Sequence, residues 1–481
     1  MRGLILNTLS ILQSFGIDYG DCRIVRRMLR EFAVKNHTPE VIRFRESYGI
    51  GIRVMVKGYW GFAASGDLDA KSVKTTARLA VEVARSSAVV PAPARDQFAR
   101  NRPIQDTYST SYKIDPFSVS AEDILDILLS ANALMYKKSK INIACSFFDA
   151  LKEEKSFGST EGALIDQTIV YCGGGISAFA IDKGAVQHRS YPASFRGNFH
   201  TAGWEFFESL DLVGNAPRVA SEAQQLLKAP PCPAGTKTVI LTGDQLALQI
   251  HESIGHAIEL DRVFGSEVSL AGTSFLSPDK MGSFRYGSPM VNITADAAAP
   301  GGLGTFGYDD EGVPAQRVPI IKEGIFQGFL TSRSTAPRIN QDHSNGAMRA
   351  DGWQNFPLIR MTNINIEPGA WNFDDLISDT RDGLLLETNK SWSIDDRRVN
   401  FQFSTEIARE IKNGKLGRIF KNPIYSGITW DFWRSCDAVC NDKSWLMWGT
   451  HNCGKGEPMQ TMFVGHGVAP ARFNNVTVGS S

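Results

Sequence analysis

Thr238-Val239-Ile240-Leu241-Thr242 reads as a strand, and it feeds directly into an apolar run, Leu246 to Leu260, that reads as a helix. That helix carries His251-Glu252-Ser253-Ile254-Gly255-His256. Two imidazoles and a carboxylate on an otherwise apolar helix need partners. Neutral imidazole is the commonest side-chain metal ligand, and a Glu beside a bound Zn²⁺ is placed to act as a general base. The whole chain has only eight His, which makes the pattern specific.

The spacing constrains the geometry. Metallopeptidase helices commonly place two His four residues apart, on one face. Here they are five apart, which on a regular α-helix turns the second ring about 140° from the first. Both could not then hold one ion. An extra residue taken up as a π-bulge restores a common side, and Gly255, a poor helix former, eases the distortion. The alternative is a buried helix whose polar groups are satisfied by neighbours.

Upstream, Ala229-Pro230-Pro231-Cys232-Pro233-Ala234-Gly235 reads as a linker, since its prolines exclude both helix and central strand. It divides an N-terminal α+β domain (1–228) from a β-rich C-terminal domain (236–481) that carries the motif helix. The fold class is therefore α+β: mixed helices and antiparallel strands first, then short strands with one metal-binding helix. In the first part, helices are expected at about 3–14, from Asp67 to Arg85 with Asp67 or Asp69 as cap, and from Ala121 to Tyr136. A further helix is expected up to Leu227, with Asn215 as cap and Pro217 in its first turn. Strands are expected from Cys22 to Phe62 with a turn at Lys57-Gly58, and at 140–153 and 166–182. In the second part, hairpins turn at Glu323-Gly324 and at Asn413-Gly414, the latter joining Phe401–Ile411 to Arg418–Tyr425. The Gly301–Gly307 stretch lacks the Lys-Ser/Thr of a phosphate loop and reads as a mobile loop or tight turn.

Composition excludes several function classes. Lys+Arg and Asp+Glu are both 51, so the chain has no net charge to drive nucleic-acid binding. Seven scattered Cys without a paired framework fit reduced thiols. No run of about eighteen apolar residues is present to span a membrane. A cytoplasmic protein is the expectation.

A catalytic zinc usually takes three protein ligands. Candidates for the third are Glu259, Asp261, His343, His451, Cys453 and His466. Cys453 stands out within Gly449-Thr450-His451-Asn452-Cys453-Gly454-Lys455, because a thiolate is a good ligand and the glycine after it permits a tight backbone. A single Cys taken alone reads more readily as a small buried hydrophobe than as a ligand. Cys436 and Cys440 read as structural.

Several of these segments together resemble the TldD/PmbA family of zinc peptidases: the helix motif, Tyr308–Gln316, Gly324–Leu330, Arg360–Asn363, Cys453-Gly454-Lys455, and Glu46–Val54 with Trp60–Ala63 in the first domain. The resemblance covers nearly the whole chain. It implies zinc held by His251, His256 and Cys453. It also implies a dimer, either of identical chains or with a motif-lacking paralogue, in which this chain is the catalytic type. Two stretches depart from the family's pattern, Asn389–Arg398 and Gly465–Phe473. The expected chemistry is hydrolysis of unfolded or short peptides, with Glu252 as general base. Arg349, Tyr308 or His451 are candidates to stabilise the oxyanion, and edge strands are candidates to pair with an extended substrate. A zinc amidohydrolase of small molecules and a non-proteolytic regulatory or assembly subunit are the rival readings.

Overall fold

A computed structural model describes residues 1–89, 98–137, 140–269 and 272–480. The N-terminal half is built on long antiparallel strands. Tyr19–Lys35 pairs along its length with Thr38–Val56 and, on its other edge, with Ile141–Ser159, which in turn pairs with Leu164–Asp182. Tyr59–Ser65 and Gln105–Ser109 close the two ends of this sheet. The turns fall where the backbone must take positive φ, at Asn36-His37 and at Lys57-Gly58. Arg2–Gln13 and Ala70–Ser87 bury their apolar faces against the first strands. Ala121–Tyr136 and Leu212–Lys228 cover the later ones.

Local chemistry decided the caps. Asp69, rather than Asp67, accepts the Lys71 and Ser72 amides at the head of its helix. The Leu212–Lys228 helix begins a turn earlier than Asn215 would have it. Asp211 caps it by accepting the Gly214 amide, and burial of Leu212 and Ala216 draws the extra turn onto the core, leaving Pro217 inside the helix. The two strands expected at 140–153 and 166–182 are longer, because each finds a partner along its whole length.

In the second half, Gly235–Leu241 lies between Asp382–Ile394, to which it is parallel, and Ala471–Ser480. Pro423–Ile428 and Asn400–Lys412 continue this sheet, and Asn400–Lys412 pairs back onto Asp382–Ile394, closing it on itself. The hairpins turn at Glu323-Gly324 and Asn413-Gly414 as the sequence indicates. The strand expected at Arg418–Tyr425 is divided at Asn422, where φ is positive, so that Lys415–Lys421 and Pro423–Ile428 pair with opposite ends of Asn400–Lys412. The Gly301–Gly307 stretch is the tight turn of the two expected alternatives, packed against Asn363. The Gly304 amide donates to Asn363 Oδ1 (2.8 Å), and a Cβ on Gly302 would stand 2.2 Å from the same oxygen.

The two halves are tied by buried charge. Arg53 bridges Asp21 (2.6 Å) on its own sheet and Glu311 (3.1 Å) in the second half, and Arg23 meets Asp310 at 3.3 Å. Among the described residues no helix is long and apolar enough to cross a membrane.

Candidate metal centre

The Gly235–Leu241 strand delivers the chain into the Gly243–Ile250 helix, which widens into a π-turn over His251–Gly255 and tightens again at His256–Ile258. The five-residue spacing is accommodated as its geometry demands, and the rings of His251 and His256 meet edge to face with centroids 4.9 Å apart. The wider turn is held from outside. Tyr286 Oη donates to the Ser253 carbonyl (2.6 Å), and Trp433 Nε1 to Ser253 Oγ (2.9 Å). Gly255 sits against Met361, where an added Cβ would lie 2.1 Å from the sulfur. Gly255→Ala is therefore expected to cost about 1–3 kcal/mol through overpacking and to displace His256. A lowered thermal midpoint together with weaker metal retention is the expected observation.

Cys453 arrives from the Leu446–Lys455 strand, which loses register with its partner between Thr450 and Cys453. Its Sγ lies 3.7 Å from His256 Nε2, and one ligand atom from each of His251, His256 and Cys453 falls within 4.8 Å of the others. All three residues are buried. Hydrogen bonding sets the tautomers. His256 Nδ1–H donates to Glu259 (3.0 Å), which leaves Nε2 a lone pair facing the thiol. His466 Nδ1–H donates to the Ile364 carbonyl (3.2 Å), so its Nε2 accepts from His251 Nδ1–H at 2.9 Å. The lone pair of His251 Nε2 is thus free.

Burial lowers both His251 and His256, keeping the imidazoles neutral. Burial also pushes the Cys453 thiol up, but the Arg360 guanidinium and His256 outweigh it and hold the thiol below its usual value. Arg360 also donates to the Cys453 carbonyl. Two lone pairs and an acidified thiol, buried and convergent, are a donor set compatible with a metal ion.

The other candidate ligands have other work. Glu259 and His466 orient the two imidazoles. Asp261 accepts from the buried Lys455 Nζ at 2.7 Å. His343 is exposed, beside the Arg100 carbonyl. His451 reaches the cavity, packed on Phe199 (4.7 Å) and kept neutral by burial, which lowers it to about 4. Arg349 is spent on the Met361 carbonyl and Tyr308 on Asp106, so neither stands at the centre. Cys436 and Cys440 lie in the hydrophobic core.

His251, Glu252, His256 and Cys453 share one wall of a cavity of about 470 Å³. The lining also holds a residue the sequence did not single out: Arg398 Nη1 meets Glu252 Oε2 at 2.6 Å. Arg398 sits at positive φ in the turn before Asn400–Lys412, where the Asp395 carboxylate gathers the amides of Arg397, Val399 and Asn400. The available signal was its place at the end of Asn389–Arg398. Trp392 and Ile394 of the same stretch also line the cavity.

Models of the PmbA/TldA metallopeptidase family match this chain in three parts: domain 1 at 20–84, the central domain at 114–229 and the C-terminal domain at 234–480. A metalloprotease of Methanocaldococcus jannaschii is 31% identical over 433 residues, covering 88% of this chain and 90% of its own. A zinc metalloprotease TldD homolog of Saccharolobus solfataricus is 29% identical over 210 residues, 44% of this chain and 45% of its own. The crystal structure of TldE from Thermococcus kodakarensis superposes with a TM-score of 0.71 at 17% identity, covering 99% of both chains.

Proposed function

This chain belongs to the PmbA/TldA metallopeptidase family, and on that premise we propose that it is a zinc-dependent peptidase acting on unfolded or short peptides. The observation that carries this reading is the convergence of His251, His256 and Cys453 beside Glu252 on one cavity wall. The borderline-soft N₂S set suits zinc, and the word zinc in the name of the Saccharolobus relative supports that choice. In domain terms, residues 1–228 form the N-terminal domain, 229–235 the linker and 236–481 the metallopeptidase domain.

When bound, zinc supplies a water acidified to near neutrality and polarises the scissile carbonyl. Glu252 accepts the proton of the attacking water and passes it to the leaving amine nitrogen. Arg398, whose Nε lacks a partner, is the cation poised to meet the developing oxyanion, with His451 nearby as a neutral donor. His451 and Asn452, left out of register between Thr450 and Cys453 on the Leu446–Lys455 strand, offer main-chain groups to an extended substrate.

An open site would endanger folded neighbours in the cytoplasm, so access must be restricted. The reading therefore includes a dimer, with an identical chain or with a motif-lacking paralogue; the TldE likeness is compatible with the latter. The test is digestion of one protein in folded and denatured form, alongside light scattering. Cleavage confined to the denatured form, abolished by chelator and restored by zinc, is expected from a dimer. No cleavage of any peptide would overturn the peptidase reading and favour the regulatory-subunit alternative, whereas chelator-insensitive cleavage would overturn its dependence on zinc. A monomer that degrades both forms equally would overturn restricted access alone.

A further inference from the structure

The helix that carries the metal motif shows the cavity a continuous face, on which Asp244 and Leu248 precede His251 and Glu252. Asp244 stands two turns before His251, about 10 Å along the axis at 1.5 Å per residue. Its Oδ1 accepts from Thr242 Oγ1; its buried Oδ2 has no partner at hydrogen-bond distance, although the Thr388 side chain stands near the carboxyl. Beside it, Trp448 also lines the cavity, and its buried Nε1–H is equally without a partner. The indole nitrogen packs against Gly243, next to Asp244, where an added Cβ would stand only 2.8 Å from it. A carboxyl acceptor and an indole donor, the latter against Gly243, thus both line one end of the cavity, and burial favours the neutral carboxyl until a cation meets it. Neither belongs to the metal centre.

Buried polar atoms are rarely left unmatched, and an unpaired carboxylate oxygen is the costlier of the two. A group that answers both carries a positive donor and a neutral acceptor a few ångströms apart. The first residue of a peptide has that arrangement: an α-ammonium and, two bonds on, its own carbonyl. A lysine or arginine side chain offers donors only and leaves the indole N–H unmatched. An internal peptide group matches both atoms but brings no charge to the carboxylate.

We propose that Asp244 and Trp448 dock the free amino-terminal residue of a peptide substrate, with Asp244 taking the ammonium and Trp448 the first carbonyl. An extended chain advances at most about 3.3–3.6 Å per residue, so the 10 Å to the metal centre places the cut bond about three residues in. The proposal rests on the peptidase reading and adds to it a preference for free amino termini and release of short amino-terminal fragments.

Binding and cleavage separate the two ideas. Calorimetry on the zinc-loaded Glu252→Gln protein compares a free tripeptide with its N-acetyl form. The free form is expected to bind roughly tenfold or more tightly, as a hydrogen bond to a charged group warrants. Adding Asp244→Asn should bring the two affinities together, while Trp448→Phe should weaken the free tripeptide and keep its advantage. Equal affinities in the parent protein would overturn the proposal and assign the recess to water. An N-acetyl tripeptide containing lysine that binds as tightly as the free form would overturn it in favour of a basic side-chain pocket. The parent comparison decides the matter even where Asp244→Asn fails to fold. The active protein, given free hexapeptides, should release amino-terminal fragments of about three residues; cleavage without that bias contradicts the proposal but leaves the peptidase reading standing. Failure to cleave any peptide would count against the peptidase reading, and the binding comparison would still decide the recess.

Discussion

Exchanging Glu252 for Gln is expected to leave fold and metal content intact and to lower hydrolysis of denatured substrate by roughly 10²–10⁴-fold, the usual cost of removing a general base. The exchange is close to isosteric. Gln keeps an oxygen to accept from Arg398 Nη1, which now lies 2.6 Å from the carboxylate, so the cavity wall should hold its shape. What Gln cannot do is take a proton from water. Turnover measured beside elemental analysis and thermal unfolding separates loss of chemistry from loss of structure. Near-normal turnover with metal bound would remove Glu252 from the mechanism.

The second large effect concerns the metal. About one zinc per chain is expected in protein never exposed to chelator, and His256→Ala should lose it, because only His251 and Cys453 then remain to bind. Cys453→Ser should also lose most of it. A serine hydroxyl is a far poorer ligand than a thiol that Arg360 and His256 hold acidified against burial. His466→Ala touches no ligand atom directly. It removes the acceptor that fixes the His251 tautomer, and a weakening of metal affinity of roughly 10–100-fold is expected. Elemental analysis and competition with a chromophoric chelator read all three. Full zinc occupancy in the His256 variant would sink the ligand assignment.

The α+β class, the Asp69 cap, the hairpin turns and the local shape of the centre were legible in the sequence. Five-residue spacing with Gly255 forces a distortion wherever the helix lies, and the π-turn at His251–Gly255 is that distortion. Such features are legible because neighbours within a few residues fix them: a cap needs its own amides, a hairpin its own turn. Even there, competition along the chain moved a boundary, since Asp211 and a buried Leu212 captured a turn that Asn215 would have left outside.

Which of the candidates for the third position lies beside the two imidazoles depended on long-range packing. Context favours Cys453 over His466 and Glu259, but nothing local in the sequence places Cys453 or His466 beside the helix. The approach of the Leu446–Lys455 and Gln460–Val468 strands, some two hundred residues downstream, puts the thiol beside His256 and His466 behind His251. Arg398 opposite Glu252, and Trp448 beside Asp244, are likewise products of contacts with no local period or spacing to announce them. The physical reason is the same in each case. Helix and turn propensities act over a few residues, whereas these contacts are set by how strands close and pack on a helix, and by the cost of burying polar atoms that only distant side chains can reach.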